Sequence, residues 1–246
     1  MTAATLTLVL VLAGAMYVRG WLQHRSIATW RGVSFILGLL ATWVAVVSPV
    51  ASADSYMLTA HMSQHLLLMT IAPPLIWLGE PLIAVGAARW PLPESLGGLL
   101  GHPALCWLAA AASLVVWHVP SVFRLAMHSS TWHLIEQASF LATGLLFWWP
   151  VVQPWPSVAR WPRWSMLLYL FLATLPCDVL SGLLVFSDRV AYPMYLCTPQ
   201  NGGLSPLEDQ QCAAALMWTC VTVVFLVAGT ILSTQILSLR KEAISV

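Results

Sequence analysis

Apolar residues run along this chain in seven stretches, at 3–18, 33–50, 56–78, 104–119, 132–149, 164–186 and 212–232. A helix needs about 20 mostly apolar residues to cross a bilayer. Lipid offers unpaired backbone groups no partner, so runs of this kind predict helices. The first and fourth are short, which leaves their ends open. Segment 81–100 differs, because Pro91, Pro93 and the Gly97-Gly98 pair interrupt it. It predicts an interfacial connection instead of a span. The pattern predicts an all-α membrane protein, a seven-transmembrane-helix bundle forming a single transmembrane domain over residues 1–246.

The polar flanks predict an orientation. The first apolar run precedes Arg19 and Arg25, whereas a cleaved signal peptide places positive charge ahead of its apolar core. That order predicts an uncleaved helix with its N-terminus outside. Arg19, Arg25, Arg31, Arg89, Arg160, Arg163, Arg240 and Lys241 then fall inside, and only Arg124 and Arg189 outside. Basic residues concentrate on the cytoplasmic side, so the split predicts a cytoplasmic C-terminus. Trp30, Trp77, Trp117, Trp132, Trp149 and Trp164 sit near the predicted span ends, as interfacial aromatics do. Composition agrees: 59% of residues are hydrophobic and 8% charged, too few charges to coat a water-soluble surface. A net charge of +1 excludes a nucleic-acid binder that rests on phosphate electrostatics.

This orientation gives the polar residues a common depth. The third run enters from outside with His61 and His65, an i,i+4 pair on one helix face, and Met57 and Met69 extend the stripe. The fourth ends outside at His118. The fifth enters with His133 and Glu136, and the seventh follows Asp209-Gln210-Gln211, with Met217 deeper. Asp178 lies in the outer half of the sixth, and His128 in the adjoining loop. His24 and His102 fall on the opposite side. A single membrane His can simply bond a neighbouring helix, and a single Met commonly packs. Several ionisable groups in one leaflet instead predict a shared site. Imidazole suits copper, zinc and iron, and thioether favours Cu(I), so the mixture leans towards copper. Pro73-Pro74 predicts a kink or an end to the third helix. The five cysteines form no CxxC pair; Cys106, Cys177 and Cys220 read as packing residues, and Cys197 and Cys212 as a candidate disulfide outside.

The blocks that carry these residues resemble a known family. They are His61-Met62-Ser63-Gln64-His65-Leu66-Leu67-Leu68, Ala72-Pro73-Pro74-Leu75 and Leu78-Gly79-x-Pro81; Trp117-His118-x-Pro120; His133-x2-Glu136 with Gly144-Leu145-Leu146-Phe147-Trp148-Trp149-Pro150; and Gly203 through Gln211 with Met217-Trp218. Together they are similar to the CtaG family, multi-span bacterial cytochrome c oxidase assembly factors. The resemblance implies a multi-pass protein of the bacterial plasma (inner) membrane that serves oxidase maturation by handling copper at the outer face. It implies metal ligands at His65, His118 and His133, supported by His61 and Glu136, with no catalytic residue. Implied partners are cytochrome c oxidase subunits and a copper donor protein. Gln137 departs from the pattern, where the family is expected to carry His. Two other readings stay open. One is a zinc-dependent seven-span membrane hydrolase drafting Ser63, Asp178 and Asp209; the other is a haem- or quinone-binding protein using facing histidines.

Overall fold

The computed structural model describes residues 3–23, 27–86, 98, 101–154, 161–197 and 203–244, with backbone alone at 50 and 239–244. His24, Arg25, Arg89, Pro91, Pro93 and Arg160 lie outside the described residues, as do the side chains of Arg240 and Lys241. The interfacial reading of 81–100 therefore falls mostly outside the description too.

The described residues are helical, with no strand among them. In chain order they form α1 (Ala3–Gln23), α2 (Thr29–Val47), α3 (Pro49–Ala53), α4 (Leu58–Leu66), a π segment (Leu67–Ile71), α5 (Ala72–Leu78) and α6 (Pro81–Ala84). There follow α7 (Pro103–His118), α8 (Pro120–His128), α9 (Ser130–Val152), α10 (Arg163–Val185), a 3-10 turn (Pro193–Cys197) and α11 (Pro206–Ile244). Among the described residues, four helices are long and apolar enough to cross a membrane: Ala3–Gln23, Thr29–Ala53, Arg163–Val185 and Pro206–Ser238. The pair α7 and α8, bent by 77°, makes a fifth when taken together. The bend falls at Val119, where Pro120 forces extended backbone on the residue before it. The apolar runs at 56–78 and 132–149 are also helical, but they are the ones that carry His61, His65, His133, Glu136 and Gln137.

Pro73-Pro74 does not end its helix. Each proline lacks an N–H, and its ring would press on the carbonyl four residues back, at Met69 and Thr70. The chain relieves this one turn earlier by widening into the π segment, where the Ala72 N–H donates to the Leu67 carbonyl. α5 then continues to Leu78. Helix α9 packs directly on this widened turn. A Cβ on Gly144 would stand 2.8 Å from the Met69 carbonyl oxygen and 2.8 Å from Pro73 Cγ, so only glycine admits the approach. Phe140, Leu68, Trp117, Ala126 and Ala45 bury together beside it.

Helix α4 is capped from across the molecule. Its start offers orphan backbone donors, and Asp209 at the head of α11 takes them. The Leu58 N–H donates to Asp209 Oδ2 at 2.6 Å and the Thr59 N–H to Oδ1 at 3.2 Å. The Thr59 hydroxyl adds a third bond at 2.6 Å. An anion at a helix N-terminus also meets the positive end of the macrodipole. The cap fixes the first turn of α4 against α11, and with it the histidine face.

Candidate metal centre

His61 and His65 stand one turn apart on α4, with ring centroids 4.3 Å apart. Helix α9 crosses their face and sets Glu136 against both. Its Oε1 lies 3.5 Å from His61 Nε2 and 3.4 Å from His65 Nε2. His133, one turn before Glu136 on α9, brings Nε2 to 4.0 Å from Glu136 Oε2. The i,i+4 and i,i+3 spacings read from the sequence thus face each other across one helix pair.

Asp54, which the sequence analysis did not select, completes the group. Its Oδ2 lies 3.3 Å from His133 Nε2. The signal for it was a lone acidic residue in the connection between the second and third apolar runs. Gln64 holds it there, donating to Asp54 Oδ2 at 3.3 Å and to the Ala51 carbonyl at 3.2 Å. Gln137 continues the network: its amide donates to Gln64 Oε1 at 3.2 Å and meets His133 Nε2 at 3.2 Å. So the position where the resemblance implies His carries an amide that braces the site. Tyr195 closes the roof by donating to the Asp54 carbonyl at 2.8 Å. Burial, and after it the Asp54 and Asp209 carboxylates, push the Tyr195 phenol above its ordinary range, so it remains a donor.

Burial divides the group. His61 and Glu136 are 0% exposed, whereas the His133 side chain retains 23%. His133 forms the mouth, with the buried Asp54 beside it, and His61, His65 and Glu136 form the interior. Both nitrogens of His61 and His65, and both Glu136 oxygens, are buried without a hydrogen bond. Each such orphan costs about 1–3 kcal/mol, more when charged. A bound cation would satisfy them at once. Among the described residues, two sets of three donors fit one, each with its donor atoms within 4.8 Å: Asp54, His61, His133 and His61, His65, Glu136. Imidazole and carboxylate together suit a transition-metal ion.

His118 stands near these sets but belongs to neither. Its ring centroid is 5.9 Å from that of His65. The Leu114 carbonyl accepts from its Nδ1 at 2.7 Å, which leaves Nε2 as the unprotonated nitrogen of the neutral ring. Met57 precedes α4 without a side-chain capping bond, and Met69 packs within the π segment. Asp178 is half-buried and His128 exposed, and both stand outside the donor sets. His102 lies edge-on to Trp161, away from them. Ser63 donates its hydroxyl to the Thr59 carbonyl at 2.7 Å. The expected Cys197–Cys212 bond is absent: both are free and exposed. The Asp209 cap on α4, not a disulfide, ties the head of α11 to the site.

The family model described as cytochrome c oxidase caa3 assembly factor (Caa3_CtaG) matches residues 15–238. An uncharacterized protein of Mycobacterium leprae (strain TN) is 24% identical over 247 residues, covering 92% of this chain and 37% of that protein. One of Mycobacterium bovis is 24% identical over 249 residues, covering 91% and 38%. The chain therefore spans 37–38% of the length of these curated relatives. No solved structure matches it.

Proposed function

We propose that this chain, which belongs to the Caa3_CtaG family of cytochrome c oxidase caa3 assembly factors, holds copper as cargo in the α4–α9 cluster and releases it for oxidase assembly. The observation that carries this reading is the buried set His61, His65 and Glu136, whose donor atoms make no hydrogen bond, beside the buried Asp54 and the partly exposed His133. An ion meets Asp54 and His133 first, then passes inward to His61, His65 and Glu136, exchanging one ligand at a time. His61 belongs to both sets, so the ion keeps a ligand throughout. Two carboxylates offset its charge in a medium where an unpaired ion is expensive. A carrier needs such a graded path, because a closed set of ligands would hold the metal without release.

The same reading places the chain in the bacterial plasma membrane with seven spans, its N-terminus and the cluster outside and its C-terminus inside. Helical runs at 58–78 and 130–152 between the apolar helices support that count, and the Lys/Arg split supports the orientation. A non-catalytic role fits the side chains that a hydrolase would draft: the Ser63 hydroxyl is bound within its own helix, and Asp209 caps α4. Haem fits poorly, since Phe140 packs tilted at 4.1 Å against the His65 ring and Phe123 edge-on at 4.9 Å against that of His61.

Copper content of the purified chain tests the proposal. His65→Ala and Glu136→Gln should each lower copper affinity by more than about tenfold while the protein still inserts. His102→Ala should leave it unchanged. Equal loss from all three, or no copper in the unaltered chain, would reject the site.

A further inference from the structure

Beyond the cluster, deeper along α4 from the His133 mouth, the helices line a cavity of about 60 Å³. His65 and His118 line it, and so do Met69, Met217 and Cys177. They come from separate elements: Met69 from the π segment, His118 from the end of α7, Met217 from α11 and Cys177 from α10. The rest of the wall is almost entirely aliphatic and aromatic. None of the described residues lining it is acidic.

Three features of this cavity point to a ligand. The Leu114 carbonyl can only accept, so the neutral His118 ring carries its proton on Nδ1. The Nε2 lone pair is then buried without a hydrogen bond, in a residue 5% exposed. The neighbouring thioethers cannot satisfy it as donors, because sulfur in Met only accepts. A soft cation accepts electron density from imidazole and thioether alike. The donor types decide which ion: neutral imidazole and thioether favour soft Cu(I) over harder divalent ions. Cys177 is engaged within the chain, its Sγ 3.8 Å from Ser181 Oγ and 4.0 Å from the Met217 carbonyl.

We propose that this cavity is a second metal position, selective for a soft monovalent ion, Cu(I), held by His118 Nε2 and the thioethers of Met69 and Met217. It deepens the copper-handling reading and rests on it. The two positions divide the chemistry: Asp54 and Glu136 suit the first to harder, more highly charged ions, and neutral soft donors suit the second to Cu(I). His65 lines the cavity and also belongs to the inner donor set, so it joins the two.

The test uses the full chain purified in detergent. Ag(I) serves as a redox-inert probe of the soft position, and Co(II) as a probe of the carboxylate–imidazole cluster. X-ray absorption of bound Ag(I) should show sulfur neighbours in the unaltered chain. The Met69→Leu/Met217→Leu double variant, nearly volume-conserving, should lose those neighbours and bind Ag(I) about tenfold or more weakly. Its Co(II) binding should stay intact, which also reports correct folding. Glu136→Gln should do the reverse, losing Co(II) and keeping sulfur-bound Ag(I). Ag(I) surrounded only by nitrogen and oxygen in the unaltered chain would overturn the second position, whatever the variants do. Failure of the unaltered chain to bind Co(II), with Ag(I) still bound by sulfur, would instead overturn the cluster reading alone.

Discussion

Glu136 organises the cluster, because it alone meets three histidines, Oε1 against His61 and His65 and Oε2 against His133. The sequence made this group legible through spacing: positions 61 and 65, and 133 and 136, share helix faces wherever those faces point. Asp54 was not legible in that way. Its place depends on a turn folding back onto α4 and on the Gln64 amide that holds it, which are tertiary contacts without a local pattern. Asp54 also supplies a prediction at this scale. It is buried beside His133, the partly exposed member of the group, so its charge should act on arrival more than on retention. Asp54→Asn should slow Co(II) uptake by about tenfold in stopped-flow mixing, an effect within the usual reach of electrostatic steering. Capacity at saturation should stay the same. Lost capacity equal to that of Glu136→Gln would make Asp54 a ligand of the interior position.

At the scale of elements, the helices were legible and their irregularities were not. The proline pair in the third apolar run predicted a kink or an end, and the chain instead widened into a π turn one step earlier. Proline alone specifies that the ladder must change, and the packed neighbour decides how. Here that neighbour is α9, whose Gly144 rides on the Met69 carbonyl and Pro73 ring. Gly144→Ala should therefore force the two helices apart. The expected cost is about 1–3 kcal/mol, typical of an overpacked contact, read as a lower thermal midpoint in detergent. Weaker metal binding should accompany it, because the same helix pair carries His65 and Glu136. An unchanged midpoint would mean that the π turn yields without strain. The bend at Val119 escaped the apolar pattern for a related reason: Pro120 starts a new helix, α8, and hydropathy alone does not register a change of direction.

For the whole molecule, the apolar runs and the scarcity of charge foretold an all-helical, membrane-type chain, and the Caa3_CtaG match spans most of it. The number of crossings was less legible, since the two runs that bear the proposed ligands of the cluster are also the least uniformly apolar. Topology can be read directly. A periplasm-active reporter fused in the 187–210 loop should be active, and one after Val246 silent. The reverse pattern would turn the cluster to the cytoplasm and remove the proposed route to the outer face. The central claim is that the Glu136 cluster loads copper into oxidase. Its most direct test is the copper-to-haem ratio of oxidase purified from cells whose only copy of this chain carries Glu136→Gln. The account predicts oxidase polypeptides with haem retained and copper depleted. A full copper complement, or missing haem beside normal copper, would contradict it.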